Sequence, residues 1–299
     1  MNVLSLFDGM SCGQLALSNL NIKIDKYYAS EIDKYAIKIG TKNFPSTIHL
    51  GSVIDIDTLK LDKIDLLIGG SPCQSFTFAG KRNGMQTTDK IEVTSLEQYL
   101  KLVSCGYEFE GQSYLFWEYV RILNEVNPKY FLLENVKMET KWKDLISDVL
   151  GVKPILINSN LFSAQNRQRL YWTNIPLDEL PTSNNEYIID IIEPEVTNYP
   201  LTKKHHEGFL RSYKWKHCEL NEKSKPLLAS YYKQPPHCPY IPSKYSDSGF
   251  RRLTPLECER LQTVPVGYTI GVSDTQRYKM LGNGWTIKVI EHILKNIKK

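Results

Sequence analysis

Ile64-Asp65-Leu66-Leu67-Ile68-Gly69-Gly70-Ser71-Pro72-Cys73-Gln74 is the stretch that decides how this chain folds. Its apolar run predicts a strand buried on both faces, and Gly-Gly-Ser-Pro marks the point where such a strand stops. A thiol is thereby delivered to the carboxyl end of an α/β sheet, where open sheets place their ligands. One cysteine in that position is equally a buried structural thiol. Its meaning depends on what else converges there.

Upstream, residues 3–7 read as an apolar strand, followed by Asp8-Gly9-Met10-Ser11-Cys12-Gly13 and a helical pattern to about Leu20. Residues 27–30 give a second strand ending at Glu31, residues 34–43 a helix, and residues 47–52 a third strand. Residues 65–69 and 130–133 continue the series, with an amphipathic helix over 115–127 between them. Strands alternating with helices predict a doubly wound parallel sheet. Gly9 and Gly13 do not satisfy G-x-G-x-x-G. A compact glycine turn with an acid after the second strand still suits an adenosine-bearing cofactor, Glu31 accepting from ribose hydroxyls. S-adenosylmethionine, a nicotinamide dinucleotide and a purely structural turn all remain open at this point.

Two more groups reach the same sheet edge. Glu134 leaves the apolar run Leu132-Leu133, as a proton-sharing acid or as a helix cap. Gln165-Asn166-Arg167-Gln168-Arg169 precedes the strand-like Leu170-Tyr171-Trp172-Thr173. Alternating arginines on a strand share a face and can hold a base carbonyl or a phosphate; an ordinary edge-strand pair has the same pattern.

No apolar run approaches the ~20 residues needed to span a bilayer, and the first residues lack a charged leader segment. Six scattered cysteines without a CxxC pair fit reduced thiols, so a cytoplasmic protein is expected. After Asn174 the periodicity weakens and the chain becomes proline-rich, which predicts a second, irregular domain. Residues 201–252 carry a local net charge of +7, against +4 for the whole chain, together with eight aromatic residues. That combination predicts a polyanion-binding surface; a merely solvated basic face is the alternative. His217-Cys218 and His237-Cys238 match no common zinc signature, so no metal is expected. Residues 85–112 read as a polar-rich insertion without a functional signal.

Taken in order, Phe7-Asp8-Gly9, Glu31, Pro72-Cys73-Gln74, Glu134-Asn135-Val136, residues 165–169 and Gly282-Asn283-Gly284 resemble the DNA (cytosine-5)-methyltransferase family, over about 220 of the 299 residues. The resemblance implies a Rossmann-like S-adenosylmethionine-dependent methyltransferase sheet with a smaller, irregular DNA-recognition domain. It implies methylation of C5 of a flipped-out cytosine in a specific double-stranded DNA sequence, with Cys73 adding to C6. Glu134 would contact N3 and the exocyclic amine, Asn135 would hold the loop, and Arg167 and Arg169 would orient the base and the Cys73 loop. Phe7, Asp8, Gly9, Met10, Ser11, Glu31, Ile32, Ser52, Val53, Pro72, Leu115 and Asn283 would line the cofactor site. Residues 75–84 would form a loop closing over the base.

By the same resemblance, residues 1–174 and 272–299 would be catalytic and 175–271 the small domain, with target recognition at about 175–249. Arg211, Lys214, Lys216, Gln234 and Lys244 are candidate DNA contacts. Monomeric action is expected, with either a cognate restriction endonuclease or a solitary phage role. Ile32, Ser52 and Cys12 depart from the usual Trp, Asp and small residue, which implies altered cofactor affinity with catalysis retained. A tRNA-acting relative is the main rival, but the Cys-Phe-Thr tripeptide of that branch is missing.

Overall fold

The structure, a computed structural model, describes residues 1–72, 85–182, 184–211 and 215–297. In chain order the first elements are β1 (Asn2–Leu6), α1 (Cys12–Asn19), β2 (Lys26–Ser30), α2 (Lys34–Asn43), β3 (Ile48–Gly51) and β4 (Leu66–Gly70). Next come α3 (Leu96–Ser104), α4 (Phe116–Val126), β5 (Tyr130–Val136), α5 (Thr140–Leu150), β6 (Ile155–Asn158) and β7 (Gln168–Thr173). The remainder holds α6 (Ile188–Ile191), α7 (Lys203–Leu210), β8 (Tyr240–Pro242), β9 (Phe250–Arg252), α8 (Pro255–Leu261), α9 (Asp274–Asn283) and α10 (Ile287–Leu294).

Seven strands make one sheet in the order β3-β2-β1-β4-β5-β7-β6. Strands β1 to β5 run parallel, while β7 is antiparallel to both β5 and β6. The all-parallel expectation fails at β7 for a steric reason. Parallel neighbours need a crossover of about a dozen residues or more, and only residues 159–167 join β6 to β7. Strand β6 has only four residues, one of them a half-exposed Leu156, and gives little apolar signal.

Alternation along the strands divides the core between the two faces of the sheet. Val3, Ile68, Ala29 and Leu132 pack with α1, α2 and α10. Leu4, Leu6, Leu67 and Leu133 pack with α3, α4 and α5. The first cluster continues without a break into Leu201, Phe209, Tyr231, Tyr240 and Leu253 of the proline-rich stretch.

That continuity changes the meaning of the aromatic residues there. Phe209, Tyr231 and Tyr240 are buried, and Trp215 stacks edge-on against Phe250 at 5.2 Å. They form a core more than a platform for bases. The basic count shrinks as well, because Arg251 forms a buried two-pronged pair with Glu257 at 2.7 and 2.8 Å. Glu257 also completes the capping box of α8 with Thr254, the start signal the sequence carries. The insertion is ordered in its described part: Phe109 stacks on Tyr114 at 4.6 Å, and the Tyr99 hydroxyl donates to Glu118 of α4 at 2.6 Å. Among the described residues no helix is long and apolar enough to cross a membrane.

Candidate active site

Strand order reverses between β1 and β4, and a cavity of about 550 Å³ opens beyond the carboxyl ends of these strands. One end is built by the turn after β1. Phe7, Gly9 and Ser11 all have positive φ, of 58°, 59° and 65°. A non-glycine residue seldom adopts that region, and its recurrence in one short turn marks strain held by the surroundings.

The support is visible in the hydrogen bonds. Asp8 is buried beneath the turn and accepts from the hydroxyls of Ser11 and Tyr27, each at 2.7 Å. Burial pushes its carboxyl above the usual range. Glu31 is fixed by three backbone N–H groups at 2.8 Å: Gly9 on Oε2, Ile32 and Asp33 on Oε1. Met10 is buried, its carbonyl taking the Tyr268 hydroxyl at 2.7 Å. Ile32 lies 70% exposed at the cavity edge, its apolar side chain turned outward. Ser52, Val53, Leu115 and Asn283 also line the cavity.

Strand β5 builds the other end. Its register sets Glu134 beside Gly70 of β4 and Tyr171 of β7. Glu134 Oε1 pairs with Arg169 Nε at 3.0 Å, and Oε2 accepts from the indole of Trp285 at 3.1 Å. Asn135 points away and donates to the carbonyl and hydroxyl of Ser71 at 3.2 and 3.0 Å, fixing the turn that leads through Pro72. Cys73 and residues 75–84 lie outside the described residues, as does Lys214. Pro72, the residue before the thiol, lines the same cavity as Glu134.

Arg167 behaves unlike Arg169. Strand β7 begins at Gln168, so Arg167 precedes the strand and does not share its alternation. Its buried guanidinium donates to the carbonyls of Leu227 at 2.9 Å and of Gly282 and Gly284 at 3.0 Å. This ties the proline-rich region to the end of α9. Sequence reasoning did not single out Trp285, Ser71 or Lys279. Lys279 reaches Asp33 across the cavity rim at 2.6 Å. Cys12 also lines the cavity, its thiol pushed up to about 12 by burial.

A seven-strand sheet with one antiparallel strand and a cavity at its reversal point is a fold this chain shares with the Dnmt2 structures. The S. pombe Dnmt2 methyltransferase superimposes with a TM-score of 0.70 over 98% of this chain and 97% of its own, at 17% identity. The sequence profile of the C-5 cytosine-specific DNA methylase family matches residues 1–227 and 179–299. The type II methyltransferase M1.ScrFI of Lactococcus lactis subsp. cremoris is 30% identical over 97% of this chain and 76% of its own length. The orphan methyltransferase M.SPRI of Bacillus phage SPR is 33% identical over 66% of this chain, which spans 42% of that enzyme. The chain belongs to the C-5 cytosine-specific DNA methylase family.

Proposed function

We propose that this chain moves a methyl group from S-adenosylmethionine to C5 of a cytosine flipped out of double-stranded DNA, at one short sequence, through a covalent bond between Cys73 and C6. One observation carries the proposal. A single cavity takes in the strained turn with Glu31 and, past Gly70-Ser71-Pro72, the carboxylate of Glu134. Two reactants can be held there side by side.

The cofactor-side residues suit S-adenosylmethionine. Glu31 offers a carboxylate pre-set for ribose hydroxyls. Phe7, Ile32 and Val53 offer apolar walls for an adenine, with Ser52 and Leu115 beside them. Asp8 to Ser11 would face the methionine part and Asn283 would close the far side. The cavity lies in the size range of small-cofactor pockets. When bound, this cofactor supplies an electrophilic methyl group.

The protein's part concerns the base. A stacked cytosine hides C6, so the nucleotide must leave the duplex. The Cys73 thiolate adds to C6, and the electron pair moves toward C5 and N3, where a proton shared with Glu134 neutralises it while Glu134 also accepts from the exocyclic amine. After C5 is alkylated it loses its proton to solvent, and the electrons of that C–H bond restore the C5–C6 double bond as the C6–S bond breaks and the thiolate leaves. Arg169, tethered to Glu134, would face the base carbonyl. Asn135 would aim the Cys73 turn, and Arg167 would act from behind as a positioning residue.

Residues 1–174 and 272–299 would form the catalytic part and 175–271 the part that holds DNA, acting as a monomer. Bisulfite sequencing of unmethylated plasmid after incubation with the protein and S-adenosylmethionine tests this beside Cys73→Ser. Protected cytosines confined to one short motif, and lost in Cys73→Ser, are expected. No protection despite cofactor binding in calorimetry would overturn it, and methylation of tRNA in its place would identify the rival substrate.

A further inference from the structure

We infer that Trp285 is a positioning residue of this reaction: its indole N–H holds the second oxygen of Glu134 and sets the carboxylate at the angle the base requires. The inference rests on the reading of Glu134 as the group that meets the cytosine ring. Trp285 follows Gly282-Asn283-Gly284 and stands 151 residues from Glu134 in the chain. Its Nε1 donates to Glu134 Oε2 at 3.1 Å, while Arg169 Nε lies 3.0 Å from Oε1. A carboxylate held through one oxygen can pivot; held through both, by donors from different walls, it cannot. The indole is a donor only and carries no charge, so it orients Glu134 without adding a second cation beside Arg169.

Two further observations support this assignment. A Cβ at Gly70 would stand 3.1 Å from both Glu134 Oε2 and Trp285 Nε1, closer than side chains normally tolerate. The bare backbone at the end of β4 therefore leaves room for this hydrogen bond. Gly284, the residue before Trp285, packs against the Cys12 thiol, where an added Cβ would lie 3.4 Å from the sulfur. The segment Gly284-Trp285 thus connects the turn at one end of the cavity to the carboxylate at the other.

The test is a double-mutant cycle on duplex DNA bearing the recognised site, at saturating S-adenosylmethionine, with Trp285→Phe, Glu134→Gln and both together. Trp285→Phe keeps a ring and loses the N–H. A hydrogen bond to a charged group is at stake, so kcat should fall about tenfold or more. In Glu134→Gln the amide oxygen pairs with Arg169 and leaves its NH₂ group facing the indole. Trp285→Phe should therefore cost little or nothing further in that background. Trp285→His, which keeps a ring N–H, should recover part of the loss, and cofactor affinity measured by calorimetry separates packing from positioning. Wild-type kcat in Trp285→Phe, or equal fold-losses in both backgrounds, would overturn the inference.

A readout independent of turnover is the set of indole N–H proton resonances from the five tryptophans. One should move in Glu134→Gln while the other four stay; no movement would also overturn the inference. An inactive wild type would instead signal failure of the proposed reaction. An active enzyme indifferent to Trp285→Phe would signal failure of the Trp285 assignment alone.

Discussion

Cys12, Cys218, Cys238 and Cys258 are buried, and Cys105 is exposed. Burial decides their chemistry, because the thiolate is the reactive form and a low-dielectric setting disfavours it. Burial pushes the thiols of Cys12 and Cys238 up to about 12, so both stay protonated at pH 8. A short iodoacetamide pulse at pH 8, read by peptide mass spectrometry, should modify Cys105 orders of magnitude faster than these two. Comparable labelling of Cys12 would show that the cofactor end of the cavity opens in solution. Glu134 was legible at the sheet edge because an apolar strand delivers it, whereas Asn135 entered only through the family resemblance. Arg167 was legible as part of the site but not in its contacts, since alternation assigns a face only to residues within the strand. Trp285 was not legible as a partner of Glu134, because no local pattern reports a contact across 151 residues.

Among the elements, the end of α9 is the most tightly committed. Arg167 donates to the carbonyls of Gly282 and Gly284, and Gln262 to those of Leu281 at 2.6 Å and Gly284 at 3.1 Å. Gly282 packs so closely on the backbone of Leu228 and Ala229 that a Cβ would come within 2.3 Å of it. Arg167→Ala removes the donor to the Leu227 and Gly282 carbonyls, while Gly284 keeps Gln262, and each unpaired buried acceptor costs on the order of 1–3 kcal/mol. Urea unfolding should register a loss of about 2 kcal/mol or more. Gly282→Ala should lose stability and cofactor affinity together, since backbone is less able than a side chain to move aside. A stable, cofactor-binding Gly282→Ala would show that the segments at 228 and 282 part easily. Strands β1 to β5 were legible from their apolar runs and α8 from its Thr254 cap, whereas the short, half-exposed β6 was not. The reversed β7 was not, because direction follows from connection length and not from residue type.

Across the whole molecule, the basic surplus of residues 201–252 is smaller at the surface than in the sequence. Arg251 is paired inside, and Lys223 donates to the carbonyls of Ser163, Asn184 and Glu186. Lys203, Lys204, Arg211, Lys216, Lys233 and Lys244 remain exposed. If this face holds the phosphate backbone, Lys203→Ala with Lys204→Ala should weaken DNA binding alike for all sequences. It should also flatten the slope of log affinity against log salt by about 2, roughly one for each phosphate that is no longer neutralised. Lys223→Ala should leave that slope unchanged and lower stability. Unaltered slopes in the double variant would move the duplex to another face. Composition could report the charge but not its partition between interior and surface, which only tertiary pairing decides.

The cavity also has an order of assembly. Its turn, Glu31, Glu134 and Arg169 come from the first 169 residues, whereas Lys279, Asn283 and Trp285 come from the last part of the chain. A nascent polypeptide emerges in that sequence and folds as it emerges. On the proposed reaction, a polypeptide still on the ribosome holds Cys73 and Glu31 but lacks one wall of the chamber. Methylation would then begin only once translation has passed Trp285, and copies cut short before it would be expected to leave DNA unmarked.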